Sequence, residues 1–507
     1  MAAASPYDLI NEGLARARAG DIAGAGQCMD RALALAPQDP SVLTGRAVIY
    51  RLEGRLRDAV LACDAALRIA PDHAGAWLER GTILSTGGSL AMARTSFEQA
   101  ARFAPGHADA HANLASLAAR GGDMAVARSA AERALALQPG NFLAAVALAT
   151  ARLAAGEAQE VLDLLVPLID REPHGGARTT GLAQLGRACE KLGRYDEAYG
   201  YFSKSNEDFA AASARFSAGR MSNTAFIEAI GDGFRAVDRA AWSSPLELAE
   251  GKPAPVFLLG YPRSGTTLVE NILASIPGVA ALEERPTLVD TDRGYLLHDS
   301  AEAIAADMAR FAAADAATLA PLHDAFWQRV FEAGVPPTAT HYVDMDPLKG
   351  SRLPFIARLL PEAKIVVMRR DPRDVVWSCF RTDFALTNAS LDFVTLEQTA
   401  RHYDALMRLT GDAMERLPLA IHELRYEALV RDFEGATRAL CDFAGLPWTP
   451  DIHGFADTAR RRGVATASAG QVTKGLYDGS RQWEPYARWL EPVMPILKPW
   501  IERYGYD

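Results

Sequence analysis

The stretch Gly260-Tyr261-Pro262-Arg263-Ser264-Gly265-Thr266-Thr267 brings two glycines, an arginine and three aliphatic hydroxyl side chains together in one short run. It follows the apolar run Val256 to Leu259 and precedes apolar residues at Leu268, Ile272 and Ile276. The first run has strand length and the later spacing fits one helical face, so the order is strand, loop, helix. A loop at a helix start leaves backbone N–H groups unpaired, and the helix dipole adds partial positive charge there, so such a loop can hold an anion. The glycine spacing is that of the nucleoside triphosphate loop, but that pattern continues with lysine, whereas Thr266 and Thr267 follow here. The cation is instead Arg263, inside the loop. A Mg-ATP reading therefore lacks its phosphate-reaching lysine, and an ordinary strand-turn-helix is the other alternative.

Two further groups could do chemistry. Val279 to Leu282 is a short strand candidate followed at once by Glu283-Glu284. In an open parallel sheet the chemistry gathers at the carboxyl ends of strands, so the pair is placed to supply a base; a solvated acidic turn is the competing reading. The apolar core of Lys364 to Met368 predicts a buried strand running into Arg369-Arg370-Asp371-Pro372, where Pro372 opens a helix in its first turn. Arg370 and Ser378, eight residues apart, offer a guanidinium fork and a neutral hydroxyl donor to a phosphate. An Arg-Asp surface network would use the same residues. After a strand candidate at 418–422, Tyr426 could stack on a base, hydrogen-bond to a nucleotide, or fill the core.

These motifs together resemble the sulfotransferase superfamily. Pro-Arg-Ser-Gly-Thr-Thr looks like its 5'-phosphosulfate loop, which binds 3'-phosphoadenosine 5'-phosphosulfate (PAPS) without a metal. The resemblance implies an α/β domain with a central parallel sheet, in which Arg263, Ser264, Gly265, Thr266 and Thr267 hold the 5' end. Arg370 and Ser378 resemble the 3'-phosphate pair, and Tyr426 lies in a Tyr-Glu-x-Leu-Val-like segment near the adenosine. The region Arg460 to Tyr486 resembles the nucleotide-covering loop, which implies roles for Ser468 and Lys474, with Arg481 standing in for a basic residue before Trp483. Within the superfamily, Arg263 to Arg285 looks like the tyrosylprotein sulfotransferases, whose catalytic base falls on Glu284. Leu282 and Arg285 replace that group's Gly and Thr, so spacing supports the position more than identity does. Arg263 would stabilise charge on the leaving phosphate oxygen. Met345 stands where the group has a lysine that touches the transferring sulfuryl group, leaving Lys349 or Arg263 to supply the cation.

The rest of the chain must position these residues. Pro37, Pro71, Pro105, Pro139 and Pro173 recur every 34 residues, as do Gly20, Gly54, Gly88, Gly122 and Gly156. Ala25, Ala59, Ala93 and Ala127 keep the same interval, and so do Ala32, Ala66, Ala100 and Ala134. The period resembles the tetratricopeptide repeat, a stacked pair of antiparallel helices. A sixth unit, shifted in register, keeps its spacing at Gly186, Gly193 and Ala198. Residues 5–207 are expected to form an all-α solenoid, 208–252 a helical bridge with breakers at Ser243-Ser244-Pro245 and Gly251-Lys252-Pro253, and 253–507 the α/β domain. Ala-rich helices between residues 300 and 335 are expected to cap the acceptor site. The solenoid groove could hold a protein or peptide, or serve only as a scaffold.

At 507 residues the chain exceeds one ordinary core. A net charge of -10 argues against a general nucleic-acid partner. The five scattered cysteines have no paired metal spacing and read as buried thiols in a reducing compartment. No basic-then-apolar leader and no run of about 18 apolar residues is present, so a cytoplasmic location is expected. The reading that follows is a PAPS-dependent transfer to a hydroxyl, with a tyrosine acceptor one candidate beside saccharides and small molecules. A repeat scaffold that binds the nucleotide without turnover is the alternative.

Overall fold

The computed structural model describes residues 4–242, 255–298, 300–339, 341–463 and 468–506. They form two compact units, Met1–Tyr201 and Phe202–Asp507.

The first unit repeats a helix pair. Pro6–Arg18 and Ile22–Leu35 make the first, Pro40–Leu52 and Leu56–Ile69 the second, and the register continues through Phe142–Ala155 and Ala158–Ile169. The five periodic glycines each turn between the paired helices with φ between 76° and 86°, a left-handed conformation that costs glycine little. Both periodic alanine series are 0% exposed, because helix backbones approach too closely there for larger side chains. Adjacent units are tied by side chains: Tyr7 donates to Asp39 at 2.9 Å, and Asn141 donates to Asp109 at 3.1 Å.

The second unit is built on a parallel sheet of β1 (Val256–Leu259), β2 (Val279–Glu283), β3 (His341–Met345), β4 (Lys364–Arg369) and β5 (Ala420–Arg425), ordered β2-β3-β1-β4-β5. β1 is buried throughout and β4 from Ile365 onward, as expected of central parallel strands. One face carries Val256, Leu258, Val343, Met345 and Met368 against Leu268 and Ile272 of the helix Thr266–Ala274. The other carries Phe257 and Tyr342 against Phe326, with ring centroids 6.0 and 6.5 Å away. The helix Ala316–Glu332, expected in a cap, is therefore a layer on the sheet.

The helix Asn223–Ala236, read from sequence as part of a bridge, packs on the helices Ala301–Ala312 and Leu396–Arg416 of this same unit. Thr224 donates to Asp392 through its backbone and its hydroxyl, at 2.6 and 2.8 Å. The breakers expected between residues 243 and 253 lie outside the described residues. The chain from Glu484 to Val493 is divided into short turns before the helix Met494–Tyr504, because prolines at 485, 492 and 495 interrupt the ladder.

Candidate active site

All five strands point their carboxyl ends to one edge, and that edge collects the reactive side chains. β1 feeds the loop 260–265, β2 ends beside Glu284, β4 runs into Arg370, and β5 runs into Tyr426. β1 sits where the chain order reverses between β3 and β4, so its loop opens into the crevice favoured for ligands in such sheets.

The loop is tightly specified. A Cβ on Gly260 would lie 2.8 Å from the Met368 carbonyl oxygen. Gly265 has φ 105°, and a Cβ there would lie 2.9 Å from the Tyr426 ring. Both positions exclude side chains, the second by backbone conformation as well. Ser264 donates from its N–H to the Tyr261 carbonyl at 3.0 Å and accepts from the Tyr261 N–H through Oγ at 3.3 Å. Ser264, Thr266 and Thr267 are buried, with the two threonines forming the start of the helix.

Arg263 gathers several of the expected residues around one guanidinium. Its Nε donates to Ser378 Oγ at 3.1 Å, and its terminal nitrogens donate to Ser468 Oγ at 2.6 Å and Gln471 Oε1 at 2.9 Å. Arg370 donates to the Arg263 carbonyl at 2.7 Å and to the Gly479 carbonyl, and its guanidinium lies 4.9 Å from the Tyr426 ring centroid. Arg370 Nε is buried and has no hydrogen-bond partner among the described residues. A buried charged donor without an acceptor is costly, so this atom marks a place for an anion. Arg263, Gly265, Arg370, Tyr426, Ser468 and Gln471 line one cavity. The residues thus fit a phosphate-bearing nucleotide: two arginines, the loop glycine at the helix start and an aromatic face line one opening.

Lys474 and Arg481 do not join them. Lys474 is exposed, and the Arg481 side chain is 79% exposed with Glu484 3.8 Å away. The Arg481 backbone explains its direction: it has φ 59° and donates its N–H to Asp374 Oδ2 at 2.8 Å. Asp374 Oδ1 also accepts from the Trp483 N–H at 3.0 Å, so one carboxylate clasps both ends of this turn. Sequence reasoning missed Asp374, because in an Arg-Asp run it has the look of a surface charge. Gln471 lies within the region Arg460 to Tyr486 that resembles the covering loop, without a role of its own read from sequence.

Glu284 stands apart from this cavity, at the end of β2. Its N–H donates to the Met345 carbonyl at 2.7 Å, continuing the β2-β3 ladder by one residue, while its φ of 48° turns the chain out of the strand. Arg263, Glu284 and Arg481 are the non-glycine residues with positive φ among those described, and such backbone strain concentrates where a side chain must be aimed. Burial pushes the Glu284 carboxyl up to about 7, and Asp346, Glu283 and Glu270 add to the shift against the opposing charge of Lys349. A carboxylate with that affinity for a proton is suited to general-base work near neutral pH. β3 separates β2 from β1, so two strand spacings, roughly 10 Å, lie between the Glu284 turn and the phosphate loop.

Lys349, one of the two cations expected near the transferring group, lines the cavity beside Glu284 but is already paired. Its Nζ contacts buried Asp344 and donates to the Arg285 carbonyl at 3.3 Å, while Asp344 also accepts from Thr287 and Tyr342 at 2.6 and 2.8 Å. Lys349 therefore braces the turn that carries Glu284. Met345 is 0% exposed and packs in the core with Val343, because strand period two turns both toward the helix Thr266–Ala274.

A second cavity opens beside Glu284. Arg285, next to Glu284 in sequence, and Asp346, whose charge acts on it, line this cavity with Asn223, the apolar Ile227, Leu288 and Leu348, and the charged Asp292, Lys349 and Arg352.

Comparison with known proteins adds to this geometry. Residues 255–450 match the model of the sulfotransferase family, and residues 10–74 and 78–142 match a tetratricopeptide repeat model. An uncharacterized protein of Aquifex aeolicus is 30% identical over 266 residues, which is 49% of this chain and 34% of that protein. The chain thus spans about a third of that relative's length. Protein-tyrosine sulfotransferase 1 of Danio rerio is 23% identical over 263 residues, covering 50% of this chain and 72% of that protein. The human protein of the same name is 25% identical over 268 residues, covering 50% and 69%. This chain therefore carries tetratricopeptide repeats followed by a domain of the sulfotransferase family.

Proposed function

We propose that the second unit transfers a sulfuryl group from PAPS to an acceptor hydroxyl. The observation that carries this reading is Glu284, a carboxylate pushed up to about 7 on the sheet edge that also bears the phosphate loop. Arg370 and Ser378 would hold the 3'-phosphate, the N–H groups of residues 265–267 with Arg263 and the Ser264 side chain the 5' end, and Tyr426 the adenosine. Ser468 would cover the nucleotide with its loop, and Lys474 and Arg481 would contribute only by turning inward. PAPS, when bound, supplies the sulfuryl group. Glu284 takes the acceptor proton, and the fixed donors of the loop and Arg263 meet negative charge on the leaving side. Positioning and electrostatics are the protein's main contributions to transfers of this kind.

A phenol is the acceptor class that best suits the second cavity. Its Ile227, Leu288 and Leu348 present apolar surface for a ring among the charged Arg285, Asp346 and Lys349, and a hydroxyl with a pKa of about 10 benefits from a base as its proton leaves. The relatives named protein-tyrosine sulfotransferase support this choice, and the repeats, as a peptide-binding module, support an acceptor within a protein or a protein partner. The five cysteines are free and buried, which accords with a reducing, cytoplasmic setting. Among the described residues no helix is long and apolar enough to cross a membrane.

The second reading, a repeat scaffold that binds the nucleotide without turnover, is favoured by one observation: Met345 is a buried thioether at the expected lysine position, and the nearby Lys349 is already paired with Asp344. Calorimetric titration with 3',5'-adenosine bisphosphate, with ADP as control, tests the donor site; incubation with sulfur-labelled PAPS and tyrosine peptides tests turnover. Binding that discriminates against ADP, followed by label transfer, supports the enzyme. Binding without transfer to any acceptor supports the scaffold, and preference for Mg-ATP overturns both.

A further inference from the structure

A buried hydrogen-bonded chain joins the phosphate loop to the wall of the cavity beside Glu284. Tyr261, the second residue of the loop, is 1% exposed, and His402 on the helix Leu396–Arg416 is 0% exposed. The Tyr261 hydroxyl lies 2.8 Å from His402 Nδ1, and His402 Nε2 lies 2.8 Å from Asn223 Oδ1. A side-chain amide oxygen only accepts, so Nε2 carries the proton and Nδ1 accepts from the tyrosyl hydroxyl. Burial pushes the His402 imidazole down to about 3, which keeps it in the neutral state with one donating and one accepting nitrogen.

Each end of the chain is anchored to a different half of the site. Tyr261 exchanges two hydrogen bonds with Ser264, closing the turn that carries Arg263, so a held tyrosine ring holds that turn. Asn223 opens the helix Asn223–Ala236, lines the second cavity with Arg285 and Asp346, and is followed by Thr224 on Asp392. Asn223 also lies outside the segment 255–450 that matches the sulfotransferase family model.

We propose that His402 is a positioning residue that couples the acceptor-side helix Asn223–Ala236 to the donor loop through Tyr261, making that helix a working part of the transferase site. The assignment of the two cavities to donor and acceptor rests on the function proposed above; the coupling itself rests on the hydrogen-bonded chain.

The test is amide hydrogen exchange of the full-length protein, read on peptides spanning residues 258–268 without nucleotide and then with 3',5'-adenosine bisphosphate. Removing one buried hydrogen bond shifts a local equilibrium by roughly ten-fold. Asn223→Ala is therefore expected to accelerate loop exchange on the order of ten-fold, Tyr261→Phe by the same factor, and the double variant by no more than either. Asn223→Asp keeps an accepting oxygen and is expected to exchange like the parent, a rescue that general loosening of the helix would not give. Unchanged loop exchange in Asn223→Ala, or effects that multiply in the double variant, would overturn the coupling. Because the first measurement needs no nucleotide, a parent protein that fails to bind 3',5'-adenosine bisphosphate removes the donor reading and leaves the coupling decided by exchange.

Discussion

Arg263 and Ser378 meet side chain to side chain, Nε to Oγ at 3.1 Å, across 115 residues of sequence. The contact joins the loop after β1 to the helix Pro372–Phe380 after β4, two neighbouring strands of the sheet. An anion in this cavity would meet the fork of Arg370, whose buried Nε has no partner among the described residues. Arg370→Ala should therefore lower 3',5'-adenosine bisphosphate affinity by about two orders of magnitude, and Ser378→Ala by about one, as expected for charged and single hydrogen bonds to a phosphate. Calorimetry on both variants checks the order as well as the size.

Glu284→Gln should retain nucleotide affinity and lose about 10² to 10⁴ of turnover, the usual contribution of a positioned base. Only the carboxylate form accepts a proton, so turnover of the parent should rise with pH through about 7 and then level. The same shift has a stability consequence. The folded-state value lies above the ordinary 4.5, so between the two the folded chain binds a proton that the unfolded chain does not, and stability falls as pH rises through that window. Glu284→Gln should flatten that part of the profile, read as melting temperature against pH.

Gly265→Ala tests the loop itself. With φ 105° and the Tyr426 ring 2.9 Å from a new Cβ, the variant must move both the helix start and the ring. A loss of about 1–3 kcal/mol in stability is expected from the strained backbone. Binding of 3',5'-adenosine bisphosphate should fall further than stability alone explains, since the same displacement shifts the N–H groups at the helix start.

Asp374→Asn should loosen the covering turn. The carboxylate accepts from the N–H groups of Arg481 and Trp483 through separate oxygens, and an amide keeps only one accepting oxygen. Loss of a charged hydrogen bond, about 1.5–3 kcal/mol, should appear as faster protease cleavage between residues 477 and 484. The KM for the donor should rise more than kcat falls.

Met345→Ala separates core from site. The side chain is 0% exposed among apolar neighbours, so its truncation should cost about 2–5 kcal/mol by denaturant unfolding. Nucleotide affinity, measured under native conditions, should be unchanged.

The sequence by itself determined the elements and the identity of most groups. Thirty-four-residue spacing of Gly, Ala and Pro specifies the helix pairs, because each of those residues answers a local demand: left-handed turns at Gly20 and its equivalents, close backbones at Ala25 and Ala32. The loop 260–267 was legible for the same reason, since a strand, two glycines and a helix start are local features. Tertiary structure alone decided which charges meet. Lys349 and Arg481 each had the right charge near the right motif, yet Lys349 is drawn to buried Asp344, and Arg481 is turned outward by the backbone that Asp374 holds. Strand pairing decided that Met345 faces the core and that Glu284 leaves the ladder with its proton affinity raised. The chain Tyr261–His402–Asn223 spans residues 179 and 141 positions apart, which no local pattern relates. Local backbone preferences act over a few residues and are written in order along the chain; burial, pairing and pKa depend on neighbours that only folding brings together.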